Sequence, residues 1–95
     1  MKWFRCLVEG RDFPGVLIEQ TSPVGFYTTR FVEAKTAEDA EVVVLTSLRV
    51  EKALTLPNGY LKPANAKVFF NEITEVDVLE VPKQPSGFTF YVMGT

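Results

Sequence analysis

The chain has 95 residues, 46% of them apolar and 23% charged, with a net charge of −2 and no histidine. This composition is that of a folded globular domain of average polarity, and it excludes every catalytic or metal chemistry that needs an imidazole. One cysteine excludes an internal disulfide and a cysteine-rich zinc site, and the acidic balance argues against nucleic acid, whose binders usually carry a basic surplus.

Residues 2–9 read as a strand. Phe4, Cys6 and Val8 point one way, and Trp3, Arg5, Leu7 and Glu9 the other. Arg11-Asp12-Phe13-Pro14-Gly15 reads as a turn. Val16 to Glu19 is expected as a short second strand, followed by a loop at Thr21–Gly25. Phe26 to Ala34 is the longest β-prone stretch of the first half, but both of its phases mix aromatic, aliphatic and polar residues, so alternation leaves its facing open.

A helix begins after Thr36. Its hydroxyl suits an N-cap, and Asp39 stands three residues on in a variant of the capping box. Glu38, Asp39 and Glu41 crowd the first turn, and Arg49 and Lys52 the far end, as the helix dipole favours. Ala40, Val43, Val44, Ser47, Leu48, Val50 and Leu54 form one stripe, although Glu51 inside it points to an end near Val50. Three consecutive valines are poor helix formers, so tertiary packing is expected to hold the segment.

Glu51 to Ala66 contains Pro57-Asn58-Gly59 and Pro63 and reads as loop. Lys67 to Val81 is extended, but Ile73 falls out of phase with Val68 and Phe70, which points to a bulge or bend at Asn71-Glu72. Phe88 to Met93 is the last strand, with Phe88, Phe90 and Val92 on one face and Thr89, Tyr91 and Met93 on the other.

The order is therefore β-β-β-α-β-β. It predicts a single α+β domain over residues 1–95: a mostly antiparallel sheet of four to five strands with one main helix on one face. The other face keeps Trp3, Leu7 and some aromatics, and a second copy of the chain is the expected cover, which makes the protein a homodimer.

Among possible sites, the best placed is a pair of guanidiniums, Arg5 and Arg30, beside Trp3, Tyr27 and Thr28. Two arginines next to hydroxyls and aromatic edges suit an anionic or planar ligand, provided both point to one face; otherwise they are surface charges paired with nearby acids. Gly87-Phe88-Thr89-Phe90-Tyr91-Val92 has the aromatic spacing of an RNA-stacking strand, but Ser86 stands where a basic residue is needed, and core packing of the phenylalanines is preferred. Glu72, Glu75, Asp77 and Glu80 read as a solvated strand face rather than paired catalytic carboxylates or a calcium loop. Cys6 reads as a small buried hydrophobe. No glycine site forms a phosphate loop, so no cofactor, metal or catalytic residue is implied.

The segments Gly25–Ala34, Thr36–Ala40 and Gly87–Tyr91 resemble a group of short bacterial proteins known only as a domain of unknown function. Ala34 to Ala40, a strand running into a Thr-Ala-Glu-Asp-Ala helix start, is similar to the core of HicB-like antitoxin domains. The Pro-Asp-Leu-Pro-Gly segment of those domains is absent and no DNA-binding helices follow, so the resemblance carries over no functional residue. The expectation is a non-enzymatic interaction or regulatory module, cytoplasmic because no export signal or bilayer-length apolar run is seen. Its partner is itself or another protein, with no membrane partner, and the alternative is an anion-binding domain using Arg5 and Arg30.

Overall fold

A computed structural model of the chain describes residues 1–60, 64–84 and 86–93. Four strands, β1 (Lys2–Phe13), β2 (Val24–Ala34), β3 (Lys67–Val76) and β4 (Thr89–Val92), form one antiparallel sheet in the order β3-β1-β2-β4. One helix, α1 (Ala37–Arg49), lies between β2 and β3 in the chain and covers one face. The domain is α+β and antiparallel as the sequence predicts, with four strands, one fewer than the order β-β-β-α-β-β contains.

The missing strand is Val16 to Glu19. Gly15–Ile18 is a short 3-10 turn. A side chain at Gly15 would meet the backbone of Gln20 and Ser22, so the chain doubles back tightly there. Glu19 closes the turn in the left-handed region, at φ 57°. Leu17 and Ile18 then pack beneath Phe13, Val24 and Phe26. The apolar run caps the end of the core instead of alternating along a sheet, which is tertiary packing overriding β propensity. The segment read as a turn before it is still strand: β1 runs on to Phe13 through an irregularity after Gly10, where Asp12 takes φ 60°.

Register settles the facing of β2. Cys6 pairs with Arg30, Val8 with Thr28 and Gly10 with Phe26, and cross-strand partners share a face. Phe26, Thr28, Arg30 and Val32 therefore point with Phe4, Cys6 and Val8 toward α1. There the core forms around Phe4, Cys6, Val8, Ala40, Val44 and Leu48. The helix stripe is narrower than the periodicity suggests: Val43 is exposed, and Val50 lies outside the helix in solvent. Thr36 caps the helix as expected, its Oγ1 accepting from the Asp39 N–H at 3.1 Å.

The bulge in β3 is also where the sequence puts it. Leu7 pairs with Glu72 but Val8 pairs with Phe70, which leaves Asn71 as the extra residue. The slip keeps Val68, Phe70 and Ile73 all on the helix side, opposite Gly10, Val8 and Cys6.

Two glycines make room for aromatic rings on opposite faces. Gly10 pairs with Phe26, and Gly25 with Tyr91; in each pair the partner's ring lies where a Cβ would stand. On the helix side Phe26 is fully buried among Phe13, Phe88 and Phe90 at centroid distances of 5.1, 5.2 and 6.0 Å. On the other side, the gap at Gly25 lets Tyr91 reach across β2.

Candidate functional site

The five residues proposed from sequence do not meet. Trp3, Arg5 and Tyr27 lie on the open face, as partners of Glu33, Phe31 and Glu9, whereas Thr28 and Arg30 lie on the helix face, as partners of Val8 and Cys6. Arg5 and Arg30 sit on adjacent strands but in opposite phases, so one small anion does not contact both, and the shared anion site is overturned. Each guanidinium has its own neighbours. Arg5 Nη2 donates to Glu72 Oε2 at 3.2 Å, and Thr74 together with Arg5 holds the Glu72 carboxyl below its usual range. Arg30 is largely buried; its Cζ stands 4.9 Å from the centroid of the Phe88 ring and its Nη2 3.5 Å from Glu51 Oε2. Thr28 is buried, and its hydroxyl donates to the Gly87 carbonyl at 2.9 Å, tying β2 to the approach of β4.

The densest polar cluster is centred on Glu9, which sequence reasoning left as an ordinary strand residue. Glu9 is only 5% exposed on the open face of the central strand. Arg11 donates to both of its oxygens, Nε to Oε2 at 2.9 Å and Nη2 to Oε1 at 3.3 Å. Asn71 Nδ2, from the bulge, donates to Oε1 at 3.3 Å, and the Tyr91 hydroxyl donates to Oε2 at 2.8 Å. Arg11, followed by Tyr91, holds the Glu9 carboxyl down at about 2. Burial, followed by the hydrogen bond to Glu9, pushes the Tyr91 phenol up to about 12. The guanidinium of Arg11 also stands 4.9 Å from the centroid of the Phe69 ring, and Tyr91 stacks on Tyr27 at 5.2 Å. The one signal in the sequence was an acid in phase with Trp3 and Leu7, with Arg11 two residues on; its other partners, Asn71 and Tyr91, come from β3 and β4, more than sixty residues away.

The chemistry of Glu9 follows from its valence. A carboxylate offers about four lone-pair sites, and four donors occupy them. It offers no open lone pair to a metal, and with its pKa held low it stays ionised through neutral pH. The cluster is a rivet that joins β3, β1 and β4 across β2. Beside it lies a shallow depression of about 610 Å³ lined by Leu7, Tyr27, Thr29, Asn71 and Ser86 to Thr89, among others.

The remaining candidates resolve as structure. Cys6 is fully buried, and burial, with a smaller effect of Glu41, raises its thiol pKa. Phe88 and Phe90 pack with Phe26 on the helix side, so their rings are not a stacking platform on the open face. Along the acidic stretch, Glu72 meets Arg5 and Glu75 meets Lys2, while Asp77 and Glu80 cap a turn. Among the described residues, no group of three His, Cys, Asp or Glu side chains is placed to hold a metal ion. Likewise among them, no helix is long and apolar enough to cross a membrane.

The expectation of a bare apolar sheet face also changes. The connection from β3 to β4 passes beside the open face, where Val81, Pro82, Gln84 and Ser86 share a 260 Å³ depression with Trp3 and Phe31. Near the start of that connection, Asp77 to Val81 forms a 3-10 turn that carries Val78, 59% exposed, and Leu79, 90% exposed, into solvent. No family model, curated protein or solved structure matches the chain.

Proposed function

We propose that the protein is a non-enzymatic interaction module that acts as a homodimer. The observation that supports this reading is surface area. The chain exposes 6463 Å², where a compact monomer of 10.7 kDa exposes roughly 5,500 Å². Its radius of gyration is 14.1 Å, with extents of 41 × 21 × 19 Å, against about 12.4 Å for a compact domain of this length. The excess of roughly 1,000 Å² is close to the ~800 Å² that each partner contributes to a standard interface. An elongated small domain with this much surface gains more from a second copy than a spherical one does.

The reactive side chains also favour this reading over an enzyme. The thiol of Cys6 is buried, and the lone pairs of Glu9 are all engaged. A cytoplasmic location belongs to the same proposal, since Cys6 is a free thiol and reducing compartments keep thiols free. Light scattering at tens of micromolar tests the oligomeric state. A mass about twice 10.7 kDa is expected, and a monomer across that range refutes the homodimer.

A further inference from the structure

Resting on the homodimer reading, we infer that the second copy docks by seating Leu79 of each chain in an apolar pocket at the opposite end of the other. The contact has two halves, and each is visible on one chain.

The first half is a knob. Leu79 is 90% exposed, and Val78 beside it is 59% exposed. Large apolar side chains this exposed usually belong to mobile backbone, but here the turn is fastened. Asp77 Oδ1 accepts from the Leu79 N–H at 2.9 Å, and Glu80 Oε2 accepts from the Asp77 N–H at 3.0 Å, which together form a capping box. A leucine held outward on a fixed backbone loses little entropy on docking, which is the character of an interface anchor. Asp77 and Glu80 flank it, and neither is in an ion pair among the described residues.

The second half is a hole. At the other end of the sheet, beside the C-terminal turn of α1, a pocket of about 490 Å³ is walled by Phe13, Leu48, Leu54, Leu56 and Val68, with Arg49 at its edge. It has room for a leucine side chain and part of the turn that carries it. Lys52 stands between Arg49 and the wall residue Leu54 in the chain. Arg49 and Lys52 have no ionic partner among the described residues. An apolar knob edged by two acids and an apolar hole edged by Arg49, with Lys52 close by in the chain, are complementary in polarity and charge.

Their placement at opposite ends of a 41 Å molecule sets the geometry. The knob follows β3 at the Trp3–Val76 end, and the hole adjoins Phe13 and Val68 at the other. Two chains side by side and antiparallel bring each knob to the partner's hole, and a two-fold axis makes both contacts at once and closes the assembly. Pairing through the outer edge of β3 is the less favoured arrangement, because the Asn71 bulge and the charges of Lys67, Glu72 and Glu75 are the features that discourage edge association.

The test is sedimentation equilibrium of the full chain and three variants, with circular dichroism as the fold control. Leu79→Asp alters an exposed side chain and is expected to leave the fold intact while weakening dimerisation at least ~30-fold, the effect of losing one anchor residue. Arg49→Glu is also exposed and is expected to weaken it through repulsion from Asp77 and Glu80. Arg49→Lys keeps the charge and is expected to dimerise nearly as tightly as the wild type, which a nonspecific effect of losing Arg49 would not allow. If the wild-type chain is a monomer, the homodimer reading itself falls. If the wild-type chain is a dimer and folded Leu79→Asp dimerises as tightly, the homodimer stands and this docking mode is overturned; a folded Arg49→Glu that dimerises as tightly as the wild type overturns it as well.

Discussion

Replacing Gly10 by alanine tests how the core is built. Gly10 lies in the last third of the longest strand, just before its irregularity, and faces the helix layer. A Cβ there would stand 2.6 Å from Phe26 Cδ2 and closer still to Cε2 and Cζ, far inside van der Waals contact. The Phe26 ring is fully buried and held edge-on by Phe13 and Phe88, with Phe90 beyond, so it has no free direction in which to move. Overpacking of this kind costs about 1–3 kcal/mol. The better conformational entropy of alanine over glycine in a strand returns about 0.5–1 kcal/mol. The net expectation is a loss of about 1–2 kcal/mol. For a domain of this size that lowers the Tm by roughly 5–15 °C. Thermal melts followed by circular dichroism measure it directly. A second arm isolates the cause. In a Phe26→Leu background the ring edge is gone, and Gly10→Ala should cost much less, giving a coupling of at least about 0.5 kcal/mol in the double-mutant cycle. A Tm for Gly10→Ala at or above the wild-type value, or strict additivity with Phe26→Leu, would refute the reasoning.

Thr36→Ala removes the acceptor for the Asp39 N–H and should cost about 1 kcal/mol, read as a Tm decrease of about 4–8 °C. Glu9 and Tyr91 should make stability depend on pH at both extremes. The folded-state pKa of Glu9, about 2, lies below its ordinary 4.5, so its contribution is present above pH 4.5 and lost as pH falls toward 2. The folded-state pKa of Tyr91, about 12, lies above its ordinary 10, so its contribution is present below pH 10 and lost as pH rises toward 12. Glu9→Gln should flatten the acid limb of a denaturation profile and Tyr91→Phe the alkaline limb. An acid limb unchanged in Glu9→Gln would show that other carboxyls govern acid unfolding.

What the sequence made legible was local. The Thr36 cap depends on residues three apart, and the Asn71 bulge shows as a break in one strand's own alternation. The facing of Phe4, Cys6 and Val8 also follows from a single run of alternating residues. What it hid was set by pairing between distant segments. Phe26 to Ala34 reads the same in either phase, and only its register against β1 turns Arg30 inward. An arginine on the core side is tolerable because Phe88, nearly sixty residues later, lays its ring beneath the guanidinium. The Glu9 cluster needs β3 and β4 on opposite sides of a β1–β2 pair, an order no local pattern announces. Gly25 reads as the last residue of a loop, but it lies in β2, where its use is to leave space for Tyr91.

These pairings bear on where a partner can bind. The helix face of the sheet is filled by α1 and the Phe26 aromatic cluster. On the open face, the Glu9 cluster and the Arg5–Glu72 pair tie charged side chains to one another, and the β3–β4 connection passes beside Trp3 and Phe31. Displacing those groups to dock a partner would strip donors from a buried carboxylate, a cost that few apolar contacts on that face could offset. The features free of such obligations lie at the two ends: an outward leucine on a capped turn, and an apolar pocket beside the end of the helix. The leucine stands outside its own core, and the pocket leaves one side of core residues such as Phe13 and Leu48 open. A chain of 95 residues has little apolar area to spare, so an apolar knob and an apolar opening kept at its two ends mark the ends, rather than the broad face of the sheet, as the place where a second chain is met.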